Sequence, residues 1–258
     1  MPRTEPDPPD IRLTLRSRDH LLRCVRKTLD FRILPQPTET TCGPTCLHAC
    51  YRYYGDRVAL NKVIDEIPSL AQGGTLAVNL GLHALSRGYK AKIYTYNLHI
   101  FDPTWFANPN RPLQEFLSAQ KKAKRNKKLH LASDAYIEFL DGGGQILFED
   151  LTPDLLRSYL ERNKPILTGL SATYLYRSSR EIGETDEYDS VAGEPSGHFA
   201  VLAGYDKKMK SLLVADPFHL NPFAGSNYYW VDIQRVISSI LLGIVTYDAN
   251  LLIIEPGE

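Results

Sequence analysis

The chain has 258 residues, of which 43% are hydrophobic, with a formal net charge of +0 at pH 7 and a pI of about 7.0. This neutral balance argues against a protein that coats nucleic acid or a membrane surface, since such proteins usually carry excess positive charge. No apolar run approaches the ~18 residues of a membrane-spanning helix, and the N-terminus, MPRTEPDPPD, lacks the apolar core of a secretory signal. We therefore expect a cytoplasmic protein whose four cysteines are reduced thiols.

Residues 1–30 are predicted to be an N-terminal extension, and residues 31–258 a single domain of ordinary size. Within the extension, residues 1–10 are typical of a loose tail. Residues 11–30 have the spacing of a basic amphipathic helix.

The first part of the domain is predicted to be mainly helical. Thr40 or Thr41 can cap a helix that has Pro44 in its first turn, and Gly55 ends it. The elements expected before residue 97 are helices over 40–54, 60–67 and 75–87 and a strand over 89–96.

Strands dominate the later part, apart from two segments, 97–150 and 176–196, that are interpreted as insertions. The first insertion is helical over 113–140 until three glycines end it, and the second is a polar loop. The other expected elements are helices over 152–163 and 233–241 and strands over 164–171, 197–206, 211–217, 228–233 and 249–256. Helices first and strands later favour an α+β fold, with an N-terminal helical layer packed on a C-terminal antiparallel sheet.

Three cysteines recur at helical spacing in QPTETTCGPTCLHACYRYYG, residues 36–55. They could form a metal site, a buried stripe, or one reactive thiol beside two packing residues. Structural zinc sites usually use cysteine pairs that converge from turns, and no fourth ligand is evident here. Cys46 and Cys50 are therefore interpreted as core residues, and we expect neither a metal ion nor a cofactor.

Cys42 differs from the other two thiols because it lies at the start of the helix. Unpaired backbone N–H groups and the positive end of the helix dipole both favour a thiolate there, and the thiolate is the nucleophilic form. Gly43 has no side chain, which would let a substrate backbone approach the sulfur.

A thiolate nucleophile needs a base, and His198 is the candidate. If the strands around it form a hairpin whose turn is centred on Lys207, Asp216 lies directly opposite His198. A carboxylate there can hold one ring nitrogen and leave the other for the thiol. The alternative is a buried polar pair that only braces the hairpin.

Acyl transfer through a thioester also needs two donors for the oxyanion. The backbone N–H of Cys42 can supply one of them. Gln36 is six residues upstream, on a segment that can curl back, and its side-chain amide can supply the other.

Together these residues resemble the papain-like cysteine peptidases, and among them cysteine peptidase family thirty-nine, whose members process bacteriocins at double-glycine leaders. The resemblance covers about residues 33–96 and 164–217. The matching positions are Gln36, Cys42-Gly43-Pro44, Leu47, Tyr53-Tyr54-Gly55, Gly74-Thr75, Gly197-His198-Phe199 and Asp216-Pro217. It implies a papain-like fold with Cys42 as nucleophile, His198 as base and acid, Asp216 as orienter and Gln36 as oxyanion donor.

The function that follows is hydrolysis of a peptide or isopeptide bond in a peptide or protein substrate. The same four residues also serve deamidases and acyltransferases, and a non-catalytic peptide-binding module is a further alternative. Members fused to ABC exporters differ from this chain, so double-glycine specificity is not carried over.

Two charged segments add expectations about partners. The basic stretch 121–128 is interpreted as a solvated face, and no nucleic-acid partner is expected. The acidic residues within 181–194 are interpreted as a surface loop, or as a lid that favours basic substrates. The sequence leaves the oligomeric state open.

Overall fold

The computed structural model describes residues 26–70, 73–107, 111–183, 185, 187–223 and 225–257. The predicted tail and residues 11–25 of the predicted N-terminal helix lie outside this range. Arg26–Thr28 forms a strand, β1, paired antiparallel with a later strand, so the helix prediction is wrong for these residues. Leu29 continues the contact, since its N–H donates to the Ala203 carbonyl at 2.8 Å. Pairing with a sheet edge outweighs a local amphipathic pattern here.

The predicted helices of the first part are confirmed to within about two residues. They are α1, Cys42–Tyr53, α2, Leu60–Glu66, and α3, Ala77–Ser86. Residues 42–51 of α1 are all buried, as expected for a helix in the centre of a domain. A strand, β2, Tyr89–Thr95, follows α3 as predicted.

The segment 113–140, predicted as one helical stretch, forms two helices, α4, Leu113–Ala123, and α5, Lys127–Asp141. The break has a local cause, because the Asn126 side chain accepts a hydrogen bond from Leu129 N at 3.0 Å and so caps α5. A 3₁₀ turn, Pro103–Ala107, precedes α4. A short strand, β3, Gln145–Leu147, pairs parallel with β2.

One large sheet organises the rest of the domain. Its further strands are β4, Ile166–Ser171, β7, Gly197–Asp206, β8, Ser211–Ala215, β9, Tyr228–Asp232, and β10, Asn250–Pro256. The order is β3-β2-β10-β4-β7-β8-β9, with β1 also paired to β7, and all pairings except β2 with β3 are antiparallel. The last strand therefore joins the N-terminal half to the C-terminal half.

Helices cover this sheet. α1 packs on β4 and β7, and α3 packs on β2 and β10. Two more helices, α6, Pro153–Glu161, and α8, Ile233–Leu242, pack on β7 and on β4 respectively. Every residue of β4 is buried, as expected for a strand covered on both faces. The α+β prediction is confirmed.

The segment predicted as a polar loop after β4 contains regular structure. It holds a short helix, α7, Ala172–Tyr176, and a two-stranded ribbon of β5, Glu181–Ile182, and β6, Glu187–Tyr188. Ser171 caps α7 by accepting a hydrogen bond from Tyr174 N at 3.3 Å. Within the described residues, we find no helix long and apolar enough to cross a membrane.

Candidate active site

Cys42 is the first residue of α1 and is 8% exposed. It lines a cleft of about 730 Å³ together with Thr75, His198 and Phe199. Gly43 has a packing role in addition to the one expected from the sequence. A Cβ at this position would lie 3.0 Å from Thr75 and 3.2 Å from Phe199, so the glycine lets the start of α1 pack closely against its neighbours.

The structure brings His198 and Asp216 together, with His198 Nε2 2.8 Å from Asp216 Oδ1. Both side chains are buried, His198 to 7% exposure and Asp216 to 0%. Cys42 is a neighbour of His198 and lines the same cleft. Since Nε2 faces Asp216, Nδ1 is the nitrogen left for the thiol.

The predicted register of this hairpin is wrong. Tyr205 pairs with Leu212, so the turn is displaced from Lys207, and the ladder shifts by one residue at Ala203. Beyond this bulge Val201 pairs with Ala215, which brings Asp216 level with Ala200 and makes it a diagonal neighbour of His198.

The bulge decides which face each side chain occupies. If the pairing nearest the turn continued unchanged, Asp216 would lie level with Val201, on the opposite face of the sheet from His198. The extra residue at Ala203 returns both side chains to one face. Diagonal neighbours on one face are ~7–8 Å apart, which two side chains can span.

Two tyrosines that sequence reasoning missed also hold the Asp216 carboxylate. Tyr176 donates its hydroxyl to Oδ2 at 2.7 Å, and the Tyr229 hydroxyl donates to the same oxygen. The Phe218 N–H donates to Oδ1 at 2.8 Å. Together with His198, four donors surround this carboxylate. No local signal identifies the tyrosines, because they lie 40 and 13 residues away along the chain.

The electrostatics of this pair favour its ionised form. Burial alone would disfavour charge on both groups. The opposite charge of His198 and the hydrogen bonds from His198, Tyr229 and Tyr176 outweigh that effect for Asp216, so its pKa is lowered. Burial opposes the imidazolium of His198 as well, but the charge and hydrogen bond of Asp216, followed by Cys42, hold the pKa of His198 well above its usual value.

Gln36 lies on the segment that leads into α1, and it is 8% exposed. Its backbone N–H donates to the Pro217 carbonyl at 2.9 Å, so this segment is tied to the residue after Asp216. Its Nε2 donates to the carbonyls of Thr38 at 3.0 Å and Glu39 at 3.3 Å. Its Oε1 is buried and accepts no hydrogen bond from the described part of the chain.

Cys46 and Cys50 lie further along α1 and are 0% and 1% exposed. Cys46 Sγ donates to the Phe199 carbonyl at 3.3 Å. Burial raises the pKa of Cys50, and burial and neighbouring negative charge raise the pKa of Cys46. Across the described ranges, no group of three or more His, Cys, Asp or Glu side chains is arranged to hold a metal ion.

We expect iodoacetamide at pH 7 to label Cys42 at least about 100-fold faster than Cys46 or Cys50. The two buried thiols remain protonated at this pH, whereas Cys42 lines an open cleft beside His198. Peptide mass spectrometry over a time course measures the three rates in one sample. Equal rates for the three thiols would contradict the assignment of Cys42 as the reactive cysteine.

The charged side chains of the cleft also differ from the expectation. Lys127 and Lys128 line it, although the basic stretch was interpreted as a solvated face. Pro195 and Gly197, which follow the acidic segment 181–194, line the cleft, and none of the described acidic side chains of that segment does. Asp248, which sequence reasoning also missed, lines the cleft beside His198.

The family model described as the Peptidase_C39 like family matches residues 28–239 of the chain. The chain therefore belongs to this family. It is a cysteine peptidase with the papain-like architecture that the sequence motifs predict. A search of curated protein sequences returns no significant match.

Similar solved structures include a C39-like peptidase from Bacillus anthracis, at 13% identity and a TM-score of 0.49, covering 90% of this chain and 99% of that one. Xylellain, a cysteine protease from Xylella fastidiosa, is 14% identical with a TM-score of 0.44, covering 91% and 87%. A double glycine motif protease from an AMS/PCAT transporter, in complex with a leader peptide, is 14% identical with a TM-score of 0.42, covering 89% and 94%. Because these values are low, the assignment rests on the family model.

Proposed function

We propose that the protein hydrolyses peptide bonds through a thioester on Cys42, with His198 as base and acid and Asp216 as the group that orients His198. The observation that carries this proposal is the 2.8 Å contact between His198 Nε2 and Asp216 Oδ1 at the cleft that Cys42 lines. This contact fixes the ring and leaves Nδ1 available to the thiol.

The reaction then has two stages. The Cys42 thiolate attacks the scissile carbonyl carbon, and the oxyanion collapses as the C–N bond breaks and His198 gives its proton to the leaving amine. In the second stage His198 accepts a proton from water as the water attacks the thioester. The C–S bond breaks and the carboxylic acid leaves. Cys42 is then again a thiolate, and His198 carries the proton that it took from water. The raised pKa of His198 supports this cycle, because the imidazolium is present at neutral pH.

Two donors are proposed for the oxyanion. The Cys42 N–H is at the start of α1, where backbone N–H groups have no partner within the helix. The second is Gln36 Nε2, whose longer hydrogen bond, 3.3 Å to the Glu39 carbonyl, is the one that a substrate oxyanion would replace. The short bond to Thr38 would remain and hold the amide in place.

Replacing Gln36 with glutamate is expected to lower kcat by roughly 10²–10³-fold, because it removes a donor that acts only as the oxyanion forms. KM should change little. Initial rates with a peptide substrate separate the two constants, and thermal unfolding of each variant controls for stability. A Gln36→Asn variant keeps an amide on a shorter side chain, so partial recovery of kcat is expected. A fall in kcat/KM that comes only from KM would argue against the oxyanion role.

The test of the proposed function is covalent trapping. Peptide-based electrophiles of varied sequence should label Cys42 in the wild-type protein and should leave the Cys42→Ala variant unlabelled. Hydrolysis of a labelled sequence in H₂¹⁸O should place one ¹⁸O atom in the new carboxylate, which distinguishes hydrolysis from transfer to an amine. Labelling at Cys46 or Cys50 in place of Cys42 would overturn the proposal.

A further inference from the structure

The cleft has a basic wall beside the proposed nucleophile. Lys127 and Lys128 begin α5 and line the same cavity as Cys42 and His198, with the apolar side chain of Leu131 one turn further along. Leu131 is 51% exposed. These side chains come from a helix distant in sequence from every residue of the proposed triad.

The two lysines are not explained by the stability of α5. Positive charge in the first turn of a helix opposes the helix dipole, and no acidic residue accompanies them there. Other lysines of the chain have carboxylate partners, such as Lys121 with Asp134 and Lys164 with Glu255. For Lys127 and Lys128, no carboxylate in the part of the chain that the structure describes lies within ion-pair distance.

Lys128 is nonetheless held in place. Its Nζ lies 4.2 Å from the centre of the Tyr247 ring, and that ring stacks on His99 with 5.4 Å between centroids. Burial lowers the pKa of Lys128, which is opposed by the charge of Asp248. A cation that is partly buried and supported on an aromatic ring loses little conformational freedom when it binds an anion.

Asp248 is the one acidic side chain that lines the cleft among the described residues. The residues on either side of it, Tyr247 and Ala249, have left-handed backbone conformations, with φ values of 72° and 63°. Such conformations cost energy in residues other than glycine and occur often at functional sites. The carboxyl packs against the residue before His198, because a Cβ at Gly197 would lie 2.5 Å from Asp248 Oδ2.

The hydrogen bonds around Asp248 fit a protonated carboxyl. The Thr246 hydroxyl lies 3.0 Å from the Gly243 carbonyl and 2.8 Å from Asp248 Oδ2. A hydroxyl has one proton, so it can donate to only one of them. Both contacts are satisfied if Thr246 donates to the carbonyl and protonated Asp248 donates to Thr246. Burial raises the pKa of Asp248 to about 7 in agreement with this arrangement.

We propose that this cleft selects peptides with an acidic side chain close to the scissile bond, which Lys127 and Lys128 bind, and that Asp248 weakens the selection when it ionises. The inference rests on the proposed peptidase function and extends it to the substrate class. It differs from the alternative in which the acidic segment is a lid that favours basic substrates, because that segment contributes no described acidic side chain to the cleft.

The pH dependence follows from the groups around Asp248. Its charged and titratable neighbours are Lys128, His198 and Tyr136. At pH 6 Asp248 is mostly protonated, and the two lysines present their full charge to the substrate. At pH 8 Asp248 is mostly ionised, so it attracts Lys128 and repels an acidic side chain of the substrate.

The test compares three peptides that differ only in one residue near the scissile bond, glutamate, glutamine or lysine. We expect wild-type kcat/KM at pH 6 to be about tenfold higher for glutamate than for glutamine, since each partly exposed ion pair contributes modestly. The Lys127→Glu/Lys128→Glu variant should instead prefer lysine. Lys122→Glu is the matched control, because Lys122 is an exposed residue of the same basic stretch that does not line the cleft.

A second measurement needs no variant. Raising the salt concentration from 0.05 to 0.5 M should reduce the preference for glutamate in the wild-type protein, because the ion pairs are partly exposed. The preference should also be smaller at pH 8 than at pH 6, and this difference should disappear in Asp248→Asn.

Cleavage of the glutamine peptide separates the two proposals. If it depends on Cys42 but glutamate and lysine peptides react equally fast, the substrate inference is overturned and the peptidase proposal stands. An equal change of preference in Lys122→Glu would also overturn it, because the effect would then be long-range. If no peptide is cleaved and no peptide-based electrophile labels Cys42, the proposed function itself fails.

Asp248→Asn is also expected to change stability in a pH-dependent way. A carboxyl whose pKa is raised to about 7 by burial must be deprotonated against that burial as the pH rises, so the wild-type protein loses stability between about pH 4 and 7. The asparagine variant avoids this loss. The difference in free energy of unfolding, variant minus wild type, should therefore be larger at pH 8 than at pH 5. Urea unfolding at both pH values measures the difference, and equal values would show that Asp248 is not buried in its protonated form.

Discussion

The Cys42→Ala variant is expected to lose peptidase activity by roughly 10⁴–10⁶-fold in kcat, because it removes the sulfur that forms the thioester. The fold should persist. Alanine is compatible with the first turn of α1, and the lost sulfur borders the cleft. Initial rates with a cleaved peptide measure the loss, and circular dichroism checks the fold.

Cys50→Ala is the matched control for this variant. It removes the same atom from the same helix, but Cys50 is 1% exposed and does not line the cleft. We expect it to cost on the order of 1 kcal/mol of stability and to leave kcat within about twofold. If Cys50→Ala lost activity as completely as Cys42→Ala, or if Cys42→Ala remained active, the thioester mechanism would have to be abandoned.

The second large effect is expected from Asp216→Asn. We expect kcat to fall by roughly 10²–10⁴-fold, because the carboxylate no longer holds His198 in the orientation that serves Cys42. An asparagine side chain also introduces N–H donors where Tyr176, Tyr229 and the Phe218 N–H already donate. The substitution therefore changes the charge and also disrupts the hydrogen bonds around it.

This substitution should also move the pH dependence of activity. In the wild-type protein the charge of Asp216 raises the pKa of His198, so the imidazolium persists as the pH rises. Without that charge the pKa of His198 falls, and the proton is lost at lower pH. The alkaline limb of the kcat/KM profile should therefore move to lower pH, as measured from pH 5 to 10.

The Asp216→Asn variant should also be less stable than the wild-type protein at mildly acidic pH. The lowered pKa of Asp216 contributes stability above its unfolded pKa, and this contribution is lost as the pH falls through its folded pKa. The raised pKa of His198 contributes stability below its unfolded pKa, and this is lost as the pH rises through its folded pKa. Between about pH 5 and 6 both contributions are present, so Asp216→Asn should lose roughly 3–5 kcal/mol there.

Tyr176→Phe is the control for Asp216→Asn. It removes one hydrogen bond to the carboxylate without changing its charge, so kcat should fall by less than about tenfold. The alkaline limb should move much less than in Asp216→Asn. An unchanged pH profile in Asp216→Asn would show that the carboxylate has no part in setting the protonation of His198.

Local signals in the sequence predicted the residues that are proposed to carry the chemistry. Pro44 and Gly55 marked the ends of α1 to within about two residues, so the position of Cys42 in its first turn followed from short-range rules. The strand pattern around His198 and Asp216 was also correct, although the predicted register was not. Turn length and the bulge at Ala203 depend on pairing with two neighbouring strands, which a pattern of alternation does not contain.

The surroundings of these residues were decided by tertiary contacts. Tyr176 and Tyr229 reach Asp216 from separate elements, and Arg26–Thr28 became a strand because an edge of β7 was available. Lys128 and Asp248 enter the cleft from α5 and from the turn before β10. The sequence by itself predicted Cys42, His198 and Asp216, the residues proposed as nucleophile, base and orienting carboxylate, because each lies in a short recognisable motif. The tertiary structure alone decided the charge of the substrate cleft, because that charge depends on which distant side chains the fold brings to one surface.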